Sequence, residues 1–287
     1  MRSNYEEKTF ESYFNIELDR KSSCFFPLGQ VQEGVLGFDA SAYTNSRKLW
    51  RRLGFPFWFS PPFHGINLRE IADEMEYYLR IIIEDIPKMK VNILFQYKKP
   101  EYITSSLGAE WPPWQQSYYR YDIYQHQQDL LNHIDNALGN LVFTVYASPA
   151  IKDIDDLVTK KINNQIIDYS NFKKARDLNG HERNTYIEAG TYSIAFSEPE
   201  RIANLNLINE LEQLGNDKLN SNENNLQFIL RFQQQITLIM NQNLYYGESF
   251  RKLDELLYEL RKYELLYSFL VMHNFRQLTG NQWLIKL

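Results

Sequence analysis

The chain has a single cysteine, Cys24, so it forms no intramolecular disulfide and no zinc cluster built on cysteines. A lone thiol suits a reducing cytoplasm. Nowhere do eighteen consecutive apolar residues occur: the richest stretch, Tyr77 to Ile86, is interrupted by Arg80 and Glu84. The opening residues, Met1-Arg-Ser-Asn-Tyr-Glu-Glu-Lys, lack the short apolar run of a signal peptide. A soluble, cytoplasmic protein with no membrane partner is expected. Basic charge is also scarce. With 31 Lys and Arg against 36 Asp and Glu, the formal net charge is -5 and the isoelectric point about 5.7. Dedicated nucleic-acid binders carry a basic stripe that releases counterions, so any nucleic-acid contact here must be local or assisted. His64, His126, His133 and His273 have no metal-ligand spacing, and no internal repeat is evident.

Aromatic residues are plentiful: 20 Tyr and 18 Phe among 287 residues supply large rigid side chains to bury and argue against disorder. The length accommodates one large core or two smaller ones, since single domains run to about 100–200 residues. A catalytic domain over residues 1–200 and a C-terminal helical region over 201–287 are expected, with the Asn-rich segment from Gly215 to Asn225 marking a boundary.

Local patterns give the expected elements. The first thirty residues read as a lead-in to a short helix near Gln30 to Leu36, ended by Gly37. Phe38-Asp-Ala-Ser-Ala-Tyr43 alternates like a short strand that would carry Asp39. Residues 47–65, crowded with Trp, Phe and Pro, read as a packed aromatic loop. Asn67 caps a helix over 68–86 whose apolar positions Leu68, Ile71, Met75, Leu79, Ile82 and Ile86 recur at helical spacing. Val91-Asn-Ile-Leu-Phe95 reads as a buried central strand, and Gln96 and Lys98, two residues apart, fall on one face. A helix over 124–138, a strand over 141–147, a helix over 154–167 and a hairpin over 186–196 turning at Ala189-Gly190 follow. Beyond the boundary, residues 226–241 and 250–275 read as two long amphipathic helices that offer a partner or dimer interface.

Cleavage of a phosphodiester with a metal needs oxygens to hold a hard divalent ion and a cation near the attacking water or scissile phosphate. Asp39 and Lys98 supply these elements if two neighbouring strands set the aspartate opposite the Gln96-Tyr97-Lys98 triplet. A turn or capping role for Asp39 and a solvated strand end for Lys98 are the bland alternatives. Gly37-Phe38-Asp39, the Q-x-K triplet after a hydrophobic strand, and the helix and strand that follow resemble a PD-(D/E)XK nuclease core over residues 20–200. Within that superfamily the chain looks most similar to restriction-like effector nucleases of prokaryotic antiviral systems, including Mrr-type and Cap4-type enzymes.

The resemblance implies a restriction-endonuclease-like α/β (α+β) fold, a mixed sheet flanked by helices. It also implies a magnesium- or manganese-dependent endodeoxyribonuclease, a DNA substrate, and a regulatory protein partner or homo-oligomer that restrains it. Asp39 would be the principal metal ligand, Gln96 would stand at the second ligand position, Lys98 would position water or phosphate, and Glu33 would be an accessory acid. Gln96 departs from the family pattern, because an amide oxygen coordinates a cation without bringing charge. A catalytically degenerate interaction module and a ribonuclease are the alternatives. Lys99 is a candidate nucleic-acid backbone contact, although an adjacent lysine on a strand points to the opposite face; Gln127 and Gln128 either touch a phosphate or site carboxylate or lie on a solvated helix face. His181 either borders the cleft or sits on the surface; its R-x4-H spacing from Arg176, as in HEPN-type ribonucleases, falls in a loop and not on a helix. The Trp-rich loops around 50–63 and 111–114 either pack or stack on bases.

Overall fold

The computed structural model describes residues 3–27, 68–216 and 223–287. Asp39, Glu33, Gly37, Asn67, the helix expected at 30–36, the strand at 38–43 and the aromatic loop at 47–65 lie outside the described residues. The described chain is mixed α/β, with one mixed and one antiparallel sheet flanked by helices, which agrees with the expected class. It divides into two units, one built from residues 1–31, 90–220 and 279–287, the other from 32–89 and 221–278. The division expected at 200/201 is therefore corrected. Residues beyond 200 are not a separate helical appendage, because the C-terminal residues supply a strand to the main sheet.

In the first unit, helix α1 (Glu7–Lys21) replaces the irregular lead-in that the sequence suggested. Its apolar stripe is narrow: Phe10, Phe14 and Leu18 recur every fourth residue and are fully buried. They pack on the odd-numbered side chains of strand β2 (Val91–Tyr97), with the Phe14 ring 5.4 Å from Phe95 and 5.5 Å from Tyr97. The main sheet runs β1 (Cys24–Phe25), β10 (Asn281–Lys286), β2, β5 (Val142–Pro149), β6 (Ser170–Lys174). Only β2 and β5 are parallel. The helix that joins them, α3 (Gln125–Leu138), makes the crossover that parallel strands require. β10 runs antiparallel along the other edge of β2, from Asn281 opposite Gln96 to Lys286 opposite Val91.

The second sheet is a five-stranded antiparallel array ordered β3 (Glu101–Ile103), β4 (Tyr118–Asp122), β7 (Arg183–Tyr186), β8 (Tyr192–Phe196), β9 (Glu200–Ala203). The expected hairpin is present as β7 and β8, with Gly190 at φ 48° in the turn. Tyrosines join the two sheets: Tyr121 and Tyr146 lie 6.1 Å apart in a cluster with Tyr119 and Tyr186. Trp114 packs rather than facing outward, stacking 5.5 Å from Tyr192 and donating Nε1–H to Thr185 Oγ1 at 2.9 Å. Helix α4 (Ile154–Ile162) stops short of residue 167. Asn164 there takes φ 53°, and the Glu17 carboxylate accepts the N–H groups of Ile166 and Ile167. Helix α5 (Leu207–Asn216) completes the unit.

The second unit is helical where it is described, with α2 (Leu68–Asp85), α6 (Asn225–Gln242), α7 (Gly247–Leu256) and α8 (Glu264–Thr279). Asn224 and Gln227 form a capping box at the start of α6. The single helix expected over 250–275 is broken. A short 3-10 turn follows α7, and α8 starts afresh where Glu76 of α2 accepts the N–H groups of Leu265 and Leu266 at 3.1 and 3.0 Å.

The β2–β10 ladder is anchored by Trp283, which is fully buried and donates Nε1–H to Asn92 Oδ1 at 2.9 Å. Trp283→Ala is expected to destabilise the protein by about 3–5 kcal/mol, the usual cost of emptying a buried aromatic site. Urea denaturation monitored by far-ultraviolet circular dichroism measures it, and a loss below about 1 kcal/mol would contradict the packing described.

Candidate functional site

Parallel strands in an α/β sheet leave a crevice beyond their carboxyl ends, and the chain emerging from β2 enters such a crevice. Successive side chains of a strand alternate between faces. Tyr97 turns toward α1, where its hydroxyl donates to Asn15 Oδ1 at 2.7 Å, so Gln96 faces α3. Lys98 stays tied to the sheet as its backbone N–H donates to Ala147 O at 2.9 Å and its carbonyl accepts the Ser148 hydroxyl at 2.9 Å. Its side chain reaches the α3 side: Nζ donates to Gln127 Oε1 at 2.9 Å and lies 4.5 Å from the Tyr124 ring centroid and 5.7 Å from that of Tyr146. The shared face of Gln96 and Lys98 is as the spacing predicts.

These groups line a cleft of about 360 Å³ with Glu7, Asp122, Tyr124 and Gln127. Lys98 is only 6% exposed, and among the described residues its ammonium is bonded to the neutral Gln127 amide with no carboxylate in ion-pair contact. Burial lowers its pKa from the ordinary lysine value to about 8, with Glu7 and Asp122 pulling it partly back through space. Glu7 shows the complementary effect. Burial raises its carboxyl above the usual range, while Lys98 and the Lys99 N–H that it accepts at 3.1 Å work the other way.

Two carboxamides, one at this end of β2 and one opposite it on β10, are under-satisfied. Gln96 donates Nε2–H to Tyr97 O at 3.2 Å, but its Oε1 is buried with no partner among the described residues. Asn281, opposite Gln96 in the ladder and fully buried, has neither Oδ1 nor Nδ2 paired. A buried polar atom left unpaired costs about 1–3 kcal/mol. α3 begins at the same cleft. Tyr124 is its N-cap and contributes no side-chain cap, so the positive end of the helix is open there.

The remaining sequence-predicted residues fall in different places. Both edges of β2 are occupied, by β10 and β5, and Asp39, expected opposite the Gln96-Tyr97-Lys98 triplet, lies outside the described residues. Lys99 lines the cleft. Gln128 is corrected from a nucleic-acid contact to a core residue. It is fully buried, donates to Ala175 O at 2.7 Å and accepts the Tyr146 hydroxyl at 2.9 Å, which leaves no atom for a ligand. His181 does not border the cleft; it is 8% exposed, with Nε2 3.0 Å from Glu200 Oε2.

Glu7, Asp122 and Tyr124 were not singled out from the sequence, and Gln127 read more simply as a solvated helix face. The sequence pattern places Tyr124 inside the helix, whereas it stands directly before it as the N-cap. Among the described residues no group of three or more His, Cys, Asp or Glu could hold a metal ion. Gln96 Oε1 is an oxygen of the type that a hard cation takes, but the described residues do not by themselves complete a magnesium or manganese shell. No family model matches the chain, and searches of curated proteins and of solved structures give no match.

A lysine whose folded pKa lies below its unfolded one destabilises the fold wherever it is charged, and the penalty is relieved as pH rises from about 8 toward the ordinary lysine value. Lys98→Met is therefore expected to be more stable than the native chain at pH 7, by about 1–3 kcal/mol after the lost Gln127 bond is counted. Urea melts across pH 6 to 10 should show the difference shrinking above about pH 8. A destabilised methionine variant at pH 7 would count against an unpaired buried charge.

Proposed function

We propose that the cleft at the carboxyl end of β2 binds a DNA phosphate and that the protein is a metal-dependent endodeoxyribonuclease, acting as the regulated effector of an antiviral system. One observation carries this reading: the buried Lys98 ammonium is presented without a contacting carboxylate, beside an uncapped helix amino terminus. A buried cation lacking a counter-ion favours an anion of matching reach, and helix amino termini add donors and positive potential for it. A phosphate satisfies both. The resemblance of the Q-x-K triplet to restriction-like nucleases supplies the choice of phosphodiester.

Lys98 holds the phosphate and stabilises the charge that develops on its oxygens during displacement. Glu7, whose carboxyl titrates above the ordinary range, lines the same cleft and is suited to exchange a proton there. A bound magnesium or manganese ion would supply an activated water and further charge neutralisation. Its protein ligands are not assembled from the described residues, and Asp39 and Glu33 are the candidates from the sequence. A second reading, a module that holds DNA without cutting it, is favoured by the neutral Gln96 amide where a second carboxylate would strengthen cation binding.

The test is incubation of single-stranded and duplex DNA with magnesium or manganese for the native chain, Asp39→Ala and Lys98→Met. Native cleavage and a loss of about 100-fold or more in both variants are expected, the scale of removing a transition-state charge partner. Equal activity in all three would sink the proposed site. Metal-free DNA binding should weaken as pH rises through about 8, where Lys98 loses its charge, and Lys98→Met should abolish that dependence. Unchanged affinity of the native chain over this range would remove Lys98 from the phosphate site.

A further inference from the structure

The shape of the cleft bears on which form of DNA enters it. Lys98, 6% exposed, lines a space of about 360 Å³, near the small end of the roughly 300–1,000 Å³ typical of clefts that enclose a small ligand. A cation so little exposed is harder to reach for a phosphate on the surface of a rigid duplex than for one between unstacked nucleotides. Tyr124 also lines the cleft and is 54% exposed, its ring stacked on His126 at 6.0 Å and 14°. A flat aromatic pair beside a buried cation matches the way proteins hold single strands, with bases on rings and phosphates on cations.

The rim opposes a second backbone. Glu101 is paired with Arg120 at 2.6 Å and Asp122 with Arg183 at 3.1 Å, so these arginines are already engaged, and Glu7 adds another carboxylate. With a net charge of -5, the chain has no surplus of cations to follow two phosphate backbones. Gln96, buried and lining the same cleft with Oε1 unpaired, provides an acceptor for a donor group on the ligand.

We propose that this cleft takes single-stranded DNA one unstacked nucleotide at a time, with the phosphate on Lys98 and the amino end of α3 and the base on the Tyr124–His126 pair. The inference rests on the phosphate-binding reading and specifies its substrate. The test measures fluorescence anisotropy of a short labelled strand, the same sequence as a blunt duplex, and the same sequence as RNA. All three are titrated without divalent metal against the native chain, Tyr124→Ala, Tyr124→Phe and Lys98→Met.

The single DNA strand should bind at least about 10-fold tighter than the duplex, and Tyr124→Ala should weaken it about 10-fold, the usual scale of one lost base stack. Tyr124→Phe should retain the affinity and Lys98→Met should lose it. Because Tyr124 is more than half exposed, the alanine variant should keep the native melting curve. Duplex binding as tight as single-strand binding, with Lys98→Met still defective, would overturn the single-strand inference and leave the phosphate site standing. An unchanged Tyr124→Ala would do the same. Tighter binding of RNA would overturn the DNA assignment. Absence of binding, or binding indifferent to Lys98→Met, would overturn both readings.

Discussion

Insertion of β10 between β1 and β2 is the constraint on which the cleft depends. With β5 on one side and β10 on the other, β2 has no free edge, every one of its residues is buried, and the chain can leave only at its carboxyl end. That exit fixes Lys98: its amide remains bonded to β5, its side chain is directed toward α3, and the residue is left 6% exposed. The same insertion brings Asn281 beside Gln96 and ties Gln282 Oε1 to the Asn15 amide at 2.8 Å, linking α1 to the sheet. Sheet order and site electrostatics therefore have one origin.

The polar groups inside this unit fall into two kinds. Most are satisfied: Glu17 caps a loop, Gln128 bridges Tyr146 and Ala175, and Lys173 donates to the carbonyls of Ile202 and Ala203 at 2.9 and 2.8 Å. Among the described residues, unpaired atoms remain on Gln96 and Arg120, which line the cleft, on Asn281 opposite Gln96, and away from the cleft on His181, Asn184, Ser193 and Gln282. Buried polar atoms are paired almost everywhere in folded proteins, so each of these exceptions carries a cost.

Elements that declare themselves by local period were legible in the sequence. The apolar run of β2, the amphipathic stripe of α3 and the Ala189-Gly190 turn all depend on neighbours within a few residues. What was not legible depends on distant partners. α1 buries Glu11, Asn15 and Glu17, which read as surface residues until Gln282 and the backbone of Ile166 are found to satisfy two of them. β10 begins with Asn281 and Gln282, fully buried amides that no hydropathy pattern assigns to a core strand. The start of α8 is set by Glu76, far away in the chain. At the site, the pairing of positions 96 and 98 followed from strand geometry. Gln127 and Gln128 were indistinguishable by sequence, and one helical step separates the residue that holds Lys98 from one wholly absorbed by the core.

The β2–β10 ladder also sets a kinetic demand. Residue 96 meets residue 281, so this pairing closes a very long loop, and non-local contacts of that kind are slow to form. Until it closes, β2 presents an apolar strand with an open edge, the type of surface through which partly folded chains associate. A chain built this way gains its cleft late in folding, and its vulnerability to aggregation lies in the strand that will later carry Lys98.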